Sequence, residues 1–237
     1  MVYCKFLSKV RSTVFQFCLA RVMLTQCLSC LLERSCKAAL SMGSLTLMVF
    51  FGALGINAGE QKFSQVQLKL DLGLTNEADL LLNRLSVEQT SPSFHYYKGR
   101  VASIRMQNKN SVEHYKKAIE LDPTHAKSYA AMALVKGRMG DFKSALSYLD
   151  RAISIDPGYA KAYSNRGVTR GALQQNQAAI NDFTQAIRLE PRLADAYRNR
   201  GITKEMLGDL NGACADWKIA SALGQEGPKQ WANAQCK

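Results

Sequence analysis

Apolar residues recur at helical spacing along most of the chain after residue 60, and polar breaks separate the apolar runs. Tyr163 and Gly167 share one face of a predicted helix, and Ala179, Phe183 and Ala186 share a face of the next one. The polar stretch LQQNQ lies between them and is typical of a short connection. The pattern therefore predicts two antiparallel helices joined by a turn.

The same pattern returns 34 residues further along the chain. Gly167 aligns with Gly201, and Phe183 aligns with Trp217. Two helices approach closely only where one side chain is nearly absent, and the aromatic ring of the facing helix fills the neighbouring gap. The repeated residues are therefore explained by packing and not by catalysis, and the fixed period predicts an all-α solenoid of stacked helix pairs.

The period divides the rest of the chain into units. In three units the second helix is followed by an acidic residue and a proline (Pro123, Pro157 or Pro191), because proline cannot continue a helix. Upstream, Arg84 stands where the later units have a small alanine, which indicates a degenerate unit. The predicted segments are a basic and hydrophobic leader over 1–58, a degenerate helix pair over 59–91, four units over 92–125, 126–159, 160–193 and 194–227, and a capping helix over 228–237.

An aromatic and a small residue on the first helix, followed by Ala, an aromatic, Ala and Pro on the second, resemble the tetratricopeptide repeat family. The ending CADWKIASALGQEGPKQWANAQC is also similar to the related Sel1-like repeats over about one unit. The resemblance implies a right-handed superhelical solenoid whose first helices line a concave face. It also implies a non-catalytic scaffold or adaptor that binds proteins.

The first 58 residues are typical of a targeting segment. Residues 1–37 are basic, with Glu33 as their only acidic residue, and residues 38–58 carry no charge. The apolar core from Leu45 to Leu54 has the length of a secretory signal. Cleavage before Gly59 and retention as a membrane anchor both remain open, as do a start at Met23 and a bipartite leader. We expect an exported protein, in a periplasm or an organelle lumen, or a membrane-anchored one.

The net charge of +12 suggests an acidic partner, but five of these charges come from residues 1–37. The remaining positive charge is spread over the helical units and is interleaved with acidic residues. No single basic stripe follows the units as a phosphate backbone would require. Nucleic-acid binding by a basic helical repeat protein is therefore the alternative function and not the first.

Motifs for catalysis and for metal binding are missing from the sequence. Cys27 and Cys30 form a CxxC pair, but no second pair of ligands lies near them. The three histidines, His95, His114 and His125, have no nucleophile motif beside them. No Gly-rich phosphate loop, nucleophile elbow or HExxH motif occurs. We therefore predict no enzyme activity, no metal and no cofactor.

Two of the seven cysteines, Cys214 and Cys236, lie in the repeat region, on the last second helix and on the capping helix. We predict that they lie close together and form a disulfide in an oxidising compartment. The alternative is two free buried thiols, because cysteine is also a common small core residue.

Two units share a pair of opposite charges at matching positions. Arg166 faces Asp182 in one unit and Arg200 faces Asp216 in the next, whereas the preceding unit has Met and Tyr at these positions. This joint change within one chain predicts an ion pair between the two helices of each unit.

The residues free to differ between units are the candidates for function. A protein or peptide segment, acidic or C-terminal, is the expected partner, because the predicted lining is rich in basic and amide side chains. In some relatives, Lys and Asn residues of successive first helices hold a chaperone's C-terminal carboxylate, and here only part of that set is present. An assembly or chaperone-type factor for a membrane complex is a further alternative, and simple solvation of the same residues is the plainest one. The candidate partner-binding residues are Tyr96, Arg100, Lys127, Lys161, Asn165, Arg198 and Asn199, with Leu134 and Glu205 beside them.

Overall fold

The computed structural model describes residues 58–85 and 90–236. The predicted basic leader, the CxxC pair and nearly all of the uncharged segment over 38–58 lie outside these residues. In the part that is described, no helix is both long enough and apolar enough to cross a membrane.

Within the described ranges the chain forms eleven α-helices and no strand. Ten of them alternate as first and second helices of five consecutive pairs, and the last stands alone at the end. Their bounds are α1 Ala58–Asp71, α2 Thr75–Arg84, α3 Pro92–Ile104, α4 Asn108–Leu121, α5 Ala126–Arg138, α6 Phe142–Ile155, α7 Ala160–Ala172, α8 Asn176–Leu189, α9 Ala194–Met206, α10 Leu210–Ala222 and α11 Glu226–Gln235.

Each helix packs mainly on its neighbours in sequence. From α3 onward, the two helices of a pair make the largest contact, and each second helix also packs on the first helix of the next pair. Successive first helices also contact one another along the chain. This stacking of helix pairs confirms the predicted all-α solenoid.

The predicted close approach of the two helices is present in each half of the 160–225 repeat. A Cβ atom added to Gly167 would lie 2.7 Å from the Phe183 ring, and one added to Gly201 would lie 2.5 Å from the Trp217 indole. Both rings are almost completely buried. Glycine is therefore required at these positions because the facing aromatic side chain already occupies the space.

The turns within the pairs use a left-handed residue after the first helix. Gly140 has φ +81° and Gly208 has φ +83°, the conformation that glycine adopts without strain. Met106 and Gln174 hold the equivalent positions with φ 59° and 60°. Glycine is thus favoured here, but the packing of the pair fixes the turn even without it.

The turns between pairs contain the predicted acidic residue and proline. The second helix α4 ends at Leu121, and Asp122 is extended with φ −141°. Pro123 follows and cannot return to the helix. The Asp122 carboxylate accepts hydrogen bonds from the backbone N–H and the hydroxyl of Thr124, which fixes the turn before α5.

The capping helix begins and ends two residues earlier than predicted. It begins at Glu226, two residues before the expected start at residue 228. Pro228 lies in its first turn, where a missing N–H leaves no helical hydrogen bond unmade. The Trp231 ring packs against the Trp217 ring with 5.5 Å between centroids, so α11 covers the end of the last pair.

Candidate functional site

A groove of about 960 Å³ runs along the first helices of the solenoid. All seven of the partner-binding residues predicted from the sequence line it, and so does Leu134. Glu205 does not, because the groove ends beside the first half of α9 and Glu205 lies near that helix's C-terminal end.

The middle of the groove carries two uncompensated positive charges. Lys127 lies in the first turn of α5, and Lys161 holds the same position in α7. Both side chains are exposed, and neither forms an ion pair with any described residue. Because no described carboxylate lies within ion-pair distance of either amine, both amines remain available to an anionic group of a ligand.

Arg100 at one end of the groove is held by its neighbours. Its guanidinium donates a hydrogen bond to the Gln67 side chain and lies 3.8 Å from the Asp71 carboxylate. It also lies 6.0 Å from the ring centroids of Tyr96 and Tyr97. Arg100 is therefore preorganised, and its charge is partly balanced.

Aromatic side chains cluster around Tyr96, one of the two rings beside Arg100. The Tyr96 ring lies 5.1 Å from Tyr97, 6.2 Å from Tyr115 and 5.3 Å from His125, measured between centroids. Burial raises the pKa of Tyr96, and it raises the pKa of Tyr159 in the middle of the groove as well. Both hydroxyls therefore stay protonated at neutral pH and can donate hydrogen bonds to a ligand.

The other end of the groove is built around Arg198. Its Nη2 lies 3.7 Å from the Asp195 carboxylate, which also accepts a hydrogen bond of 3.1 Å from Gln225. The Arg198 Nε is buried and has no hydrogen-bond partner among the described residues. The next residue, Asn199, adds an amide to the same wall. The Arg198 side chain as a whole is 38% exposed, so the rest of its guanidinium can still donate to a ligand.

The lining is less basic than the sequence suggested. Four carboxylates, those of Asp71, Asp156, Glu190 and Asp195, also line the groove. The expectation of a basic, amide-rich surface was wrong in this respect, because it included neither Asp71 and Asp195, at the ends of first helices, nor the turn residues Asp156 and Glu190. Three of the four come from the turns or from the start of a helix, and Asp71 comes from the C-terminal end of α1.

Sequence reasoning also missed a class of position directly before each first helix. Tyr159 and Leu193 line the groove, and His125 contacts the lining residue Tyr96. These three residues share one place in the repeat period. That shared place was the signal in the sequence that could have identified them.

The predicted ion pairs between the two helices are confirmed. The Arg166 Nη2 lies 2.8 Å from Asp182, and the Arg200 Nη2 lies 2.6 Å from Asp216. Both aspartates are buried, and Asp182 also accepts a hydrogen bond from Arg170. None of these aspartates or their arginines lines the groove, so the pairs belong to the packing of the units.

Cys214 and Cys236 form a disulfide, with 5.6 Å between their Cα atoms. It joins α10 to the residue that follows α11. The bond therefore closes the end of the capping helix onto the last pair, as the sequence suggested for an oxidised chain.

The histidines occupy helix faces and turns. The Nδ1 atoms of His95 and His114 lie 3.3 Å apart, and His125 Nδ1 lies 2.7 Å from the Ser128 hydroxyl oxygen. Burial lowers the pKa of His114 and of His125. Across the described residues, no three His, Cys, Asp or Glu side chains come together as a metal site would require.

Family models of the tetratricopeptide repeat match residues 98–125, 114–147 and 160–193. Residues 98–147 and 160–193 belong to tetratricopeptide repeats. The helix pairs, the Gly167–Phe183 contact and the proline turns within these residues are therefore features of this repeat. The Sel1-like character of the unit over 194–227 stays a prediction.

Solved structures of other proteins share the architecture. The protein TTC0263 of Thermus thermophilus is 19% identical, with a TM-score of 0.65, over 76% of this chain and 99% of that chain. PilF of Pseudomonas aeruginosa is 18% identical, with a TM-score of 0.61, over 71% of this chain and 78% of that one. YrrB, described as a tetratricopeptide protein with an unusual peptide-binding site, is 18% identical, with a TM-score of 0.52, over 73% and 90%. These identities show the fold alone, and a search of curated protein sequences gives no match.

Proposed function

We propose that this tetratricopeptide protein is a non-catalytic scaffold that holds an extended segment of a partner protein in the groove. The observation that carries the proposal is the pair Lys127 and Lys161, which face the groove from successive first helices without an ion pair among the described residues. The peptide-binding site described for YrrB supports this kind of ligand, because both chains share the fold.

The chemistry of the groove favours a segment with carboxylates. Lys127 and Lys161 attract negative charge, and the guanidinium of Arg198, whose side chain is 38% exposed, can donate a hydrogen bond to an oxygen acceptor. The amides of Asn165 and Asn199 can bind the backbone of an extended peptide. An acidic or C-terminal peptide segment is therefore the partner that these groups suit.

The carboxylates of the lining help to distinguish a peptide ligand from a nucleic acid. Asp156 and Glu190 lie in the same groove as the lysines. They repel a continuous polyanion, whereas a peptide can place one or two carboxylates on the lysines and leave neutral residues opposite the acids. The groove therefore favours a peptide over a nucleic acid, which stays the alternative.

We further propose that the chain works in an exported or membrane-anchored position. The support is the uncharged segment over 38–58, which follows a basic leader, and the Cys214–Cys236 disulfide, since such bonds persist in oxidising compartments. Assembly of a membrane complex is a function that such a scaffold would serve. Sequencing of the mature N-terminus tests the cleaved version, which requires a chain that begins near Gly59.

The groove is tested with the full chain and a labelled acidic peptide that ends in a free carboxylate. Replacing Lys161 and Arg198 by Glu should abolish binding in fluorescence anisotropy, while helicity and melting temperature stay unchanged, because groove charges affect binding more than folding. The matched control, Lys109→Glu with Lys143→Glu, reverses two exposed charges outside the groove and should bind normally.

Two results would contradict the proposal. If the groove variant binds the acidic peptide as well as the wild type does, the concave face is not the site. If single-stranded DNA binds more tightly than the peptide, and its affinity falls steeply with salt, the alternative function is the correct one.

A further inference from the structure

A second pocket, of about 320 Å³, lies between α10 and α11 at the C-terminal end of the solenoid. It shares no lining residue with the groove. Its polar lining consists of Lys218, Ser221, Lys229, Asn233 and Cys236. The pocket therefore combines two amines, a hydroxyl and an amide with one sulfur of the disulfide.

The two sulfurs of this disulfide differ in access. Cys214 is only 9% exposed, and it does not line the pocket. Cys236 lines the pocket and is half-buried. A small thiolate that enters the pocket therefore meets the sulfur of Cys236, and the sulfur of Cys214 becomes the leaving group.

The amines give the pocket a preference for anions. Lys218 forms no ion pair with a described residue, and Lys229 lies 3.9 Å from the exposed carboxylate of Glu226. Both amines are exposed, so they attract a charged ligand without first losing a strong partner. The Ser221 hydroxyl and the Asn233 amide can form hydrogen bonds with its carboxylates.

We propose that this pocket binds low-molecular-weight thiols that carry carboxylates, and that the Cys214–Cys236 disulfide exchanges with them. The thiolate attacks the Cys236 sulfur, a new sulfur–sulfur bond forms, and the Cys214 sulfur leaves with the electron pair and takes a proton from water. A second thiol then attacks the bound thiol's sulfur. It releases a small-molecule disulfide and leaves Cys236 as a thiol, so two thiols are oxidised and the protein disulfide is reduced.

The exchange changes how the capping helix is held. Without the disulfide, α11 keeps its short connection to α10, the contact between Trp217 and Trp231 and the buried side chain of Ala232. The end of α11 beside Cys236 loses its covalent attachment. The concentration of anionic thiols thus determines whether the end of α11 is covalently attached to α10.

The experiment compares glutathione, an anionic thiol, with uncharged 2-mercaptoethanol on the oxidised full chain. Rates of disulfide opening are measured by mass spectrometry and compared at equal thiolate concentrations. Glutathione should react roughly tenfold faster, because the pocket concentrates the anion. Peptide mapping should place the first glutathione adduct on Cys236.

The variant Lys218→Glu with Lys229→Glu should remove the advantage of glutathione, because it should slow glutathione, which carries carboxylates, more than 2-mercaptoethanol, whose only charge is the thiolate. The control Lys143→Glu changes an exposed lysine outside this pocket and should keep the wild-type ratio. Circular dichroism shows whether each variant is folded. Equal rates for the two thiols on the wild type, or a first adduct on Cys214, would overturn the proposal.

Discussion

The repeats over 92–159 and those over 160–227 have the same backbone arrangement but fill the space between their helices differently. In the later pair, Arg166 and Arg200 form ion pairs with buried aspartates. In the unit over 126–159, Met132 holds the equivalent position, is 1% exposed and packs against the partly buried Tyr148. One position in the fold therefore accepts either an ion pair or an apolar contact.

The unit over 92–125 shows a third solution. Lys98 stands at the arginine position, and its amine lies 2.8 Å from Asp79 and 2.6 Å from Asn83, both in the preceding pair. His114 stands at the aspartate position. The close glycine and aromatic contacts therefore determine the repeat, whereas the neighbouring position can vary as long as each buried polar group there has a partner.

The largest effect is expected from Asp182→Ala. The change leaves the guanidinium of Arg166 partly buried, with Asp150 as its remaining ion-pair partner. Removing one member of a buried ion pair costs about 3–5 kcal/mol in the free energy of unfolding. Denaturation in urea, followed by circular dichroism, measures the loss.

The matched control replaces the ion pair by the apolar contact of the preceding unit. Arg166→Met with Asp182→Tyr introduces the side chains found at Met132 and Tyr148. Replacing a buried ion pair by well-packed apolar residues is often neutral or stabilising, so this double variant should unfold within about 1 kcal/mol of the wild type. A double variant as unstable as Asp182→Ala would show that the two regions do not share an interchangeable position.

A smaller effect is expected at the contact that both regions share. Gly167→Ala places a Cβ atom 2.7 Å from Phe183, and such overpacking costs about 1–3 kcal/mol in the free energy of unfolding. Gly171→Ala in the same helix is the control, since nothing lies within 4 Å of its added Cβ atom. The free energy of unfolding of Gly171→Ala should rise by up to about 1 kcal/mol, because alanine favours the helix. Urea denaturation of both variants gives the comparison, and equal effects would refute the steric explanation.

The smallest effect concerns pH and the histidine of the earlier region. Burial lowers the pKa of His114, and its neighbours His95, Lys117 and Lys98 act in the same direction against Glu113. The folded state then binds fewer protons than the unfolded state below the ordinary histidine pKa of 6.5. The free energy of unfolding should therefore fall as the pH drops from about 7 through this value.

Amide hydrogen exchange can locate that loss. Protection of α4 should decrease relative to that of α8 between neutral and mildly acidic pH, because α8 carries Asp182 at the equivalent position. In the variant His114→Asn, the ratio of amide protection in α4 to amide protection in α8 should be independent of pH. A ratio that still changes in this variant would assign the effect to another group.

The repeat period made the fold predictable, because residues such as Gly167 and Phe183 have one packing role wherever they recur. The ion pairs could be predicted for the same reason, since Arg and Asp change together between units. All of the groove residues that were predicted lie on helices. Asp156 was missed because the position of a turn residue depends on how one pair stacks on the next, and no pattern within a single unit records that. Tyr159 was missed although it shares one place in the repeat period with His125 and Leu193.

The arginines of the later repeats also reach the pair before them. Arg166 lies 2.7 Å from Asp150, and Arg200 donates a hydrogen bond of 3.0 Å to the Thr184 hydroxyl, each on the second helix of the preceding unit. In a linear array, the free energy of contact between neighbouring units sets how far unfolding spreads from one end. These links couple α6 to α7 and α8 to α9, so the units from 126 onward are expected to lose their structure in a concerted step.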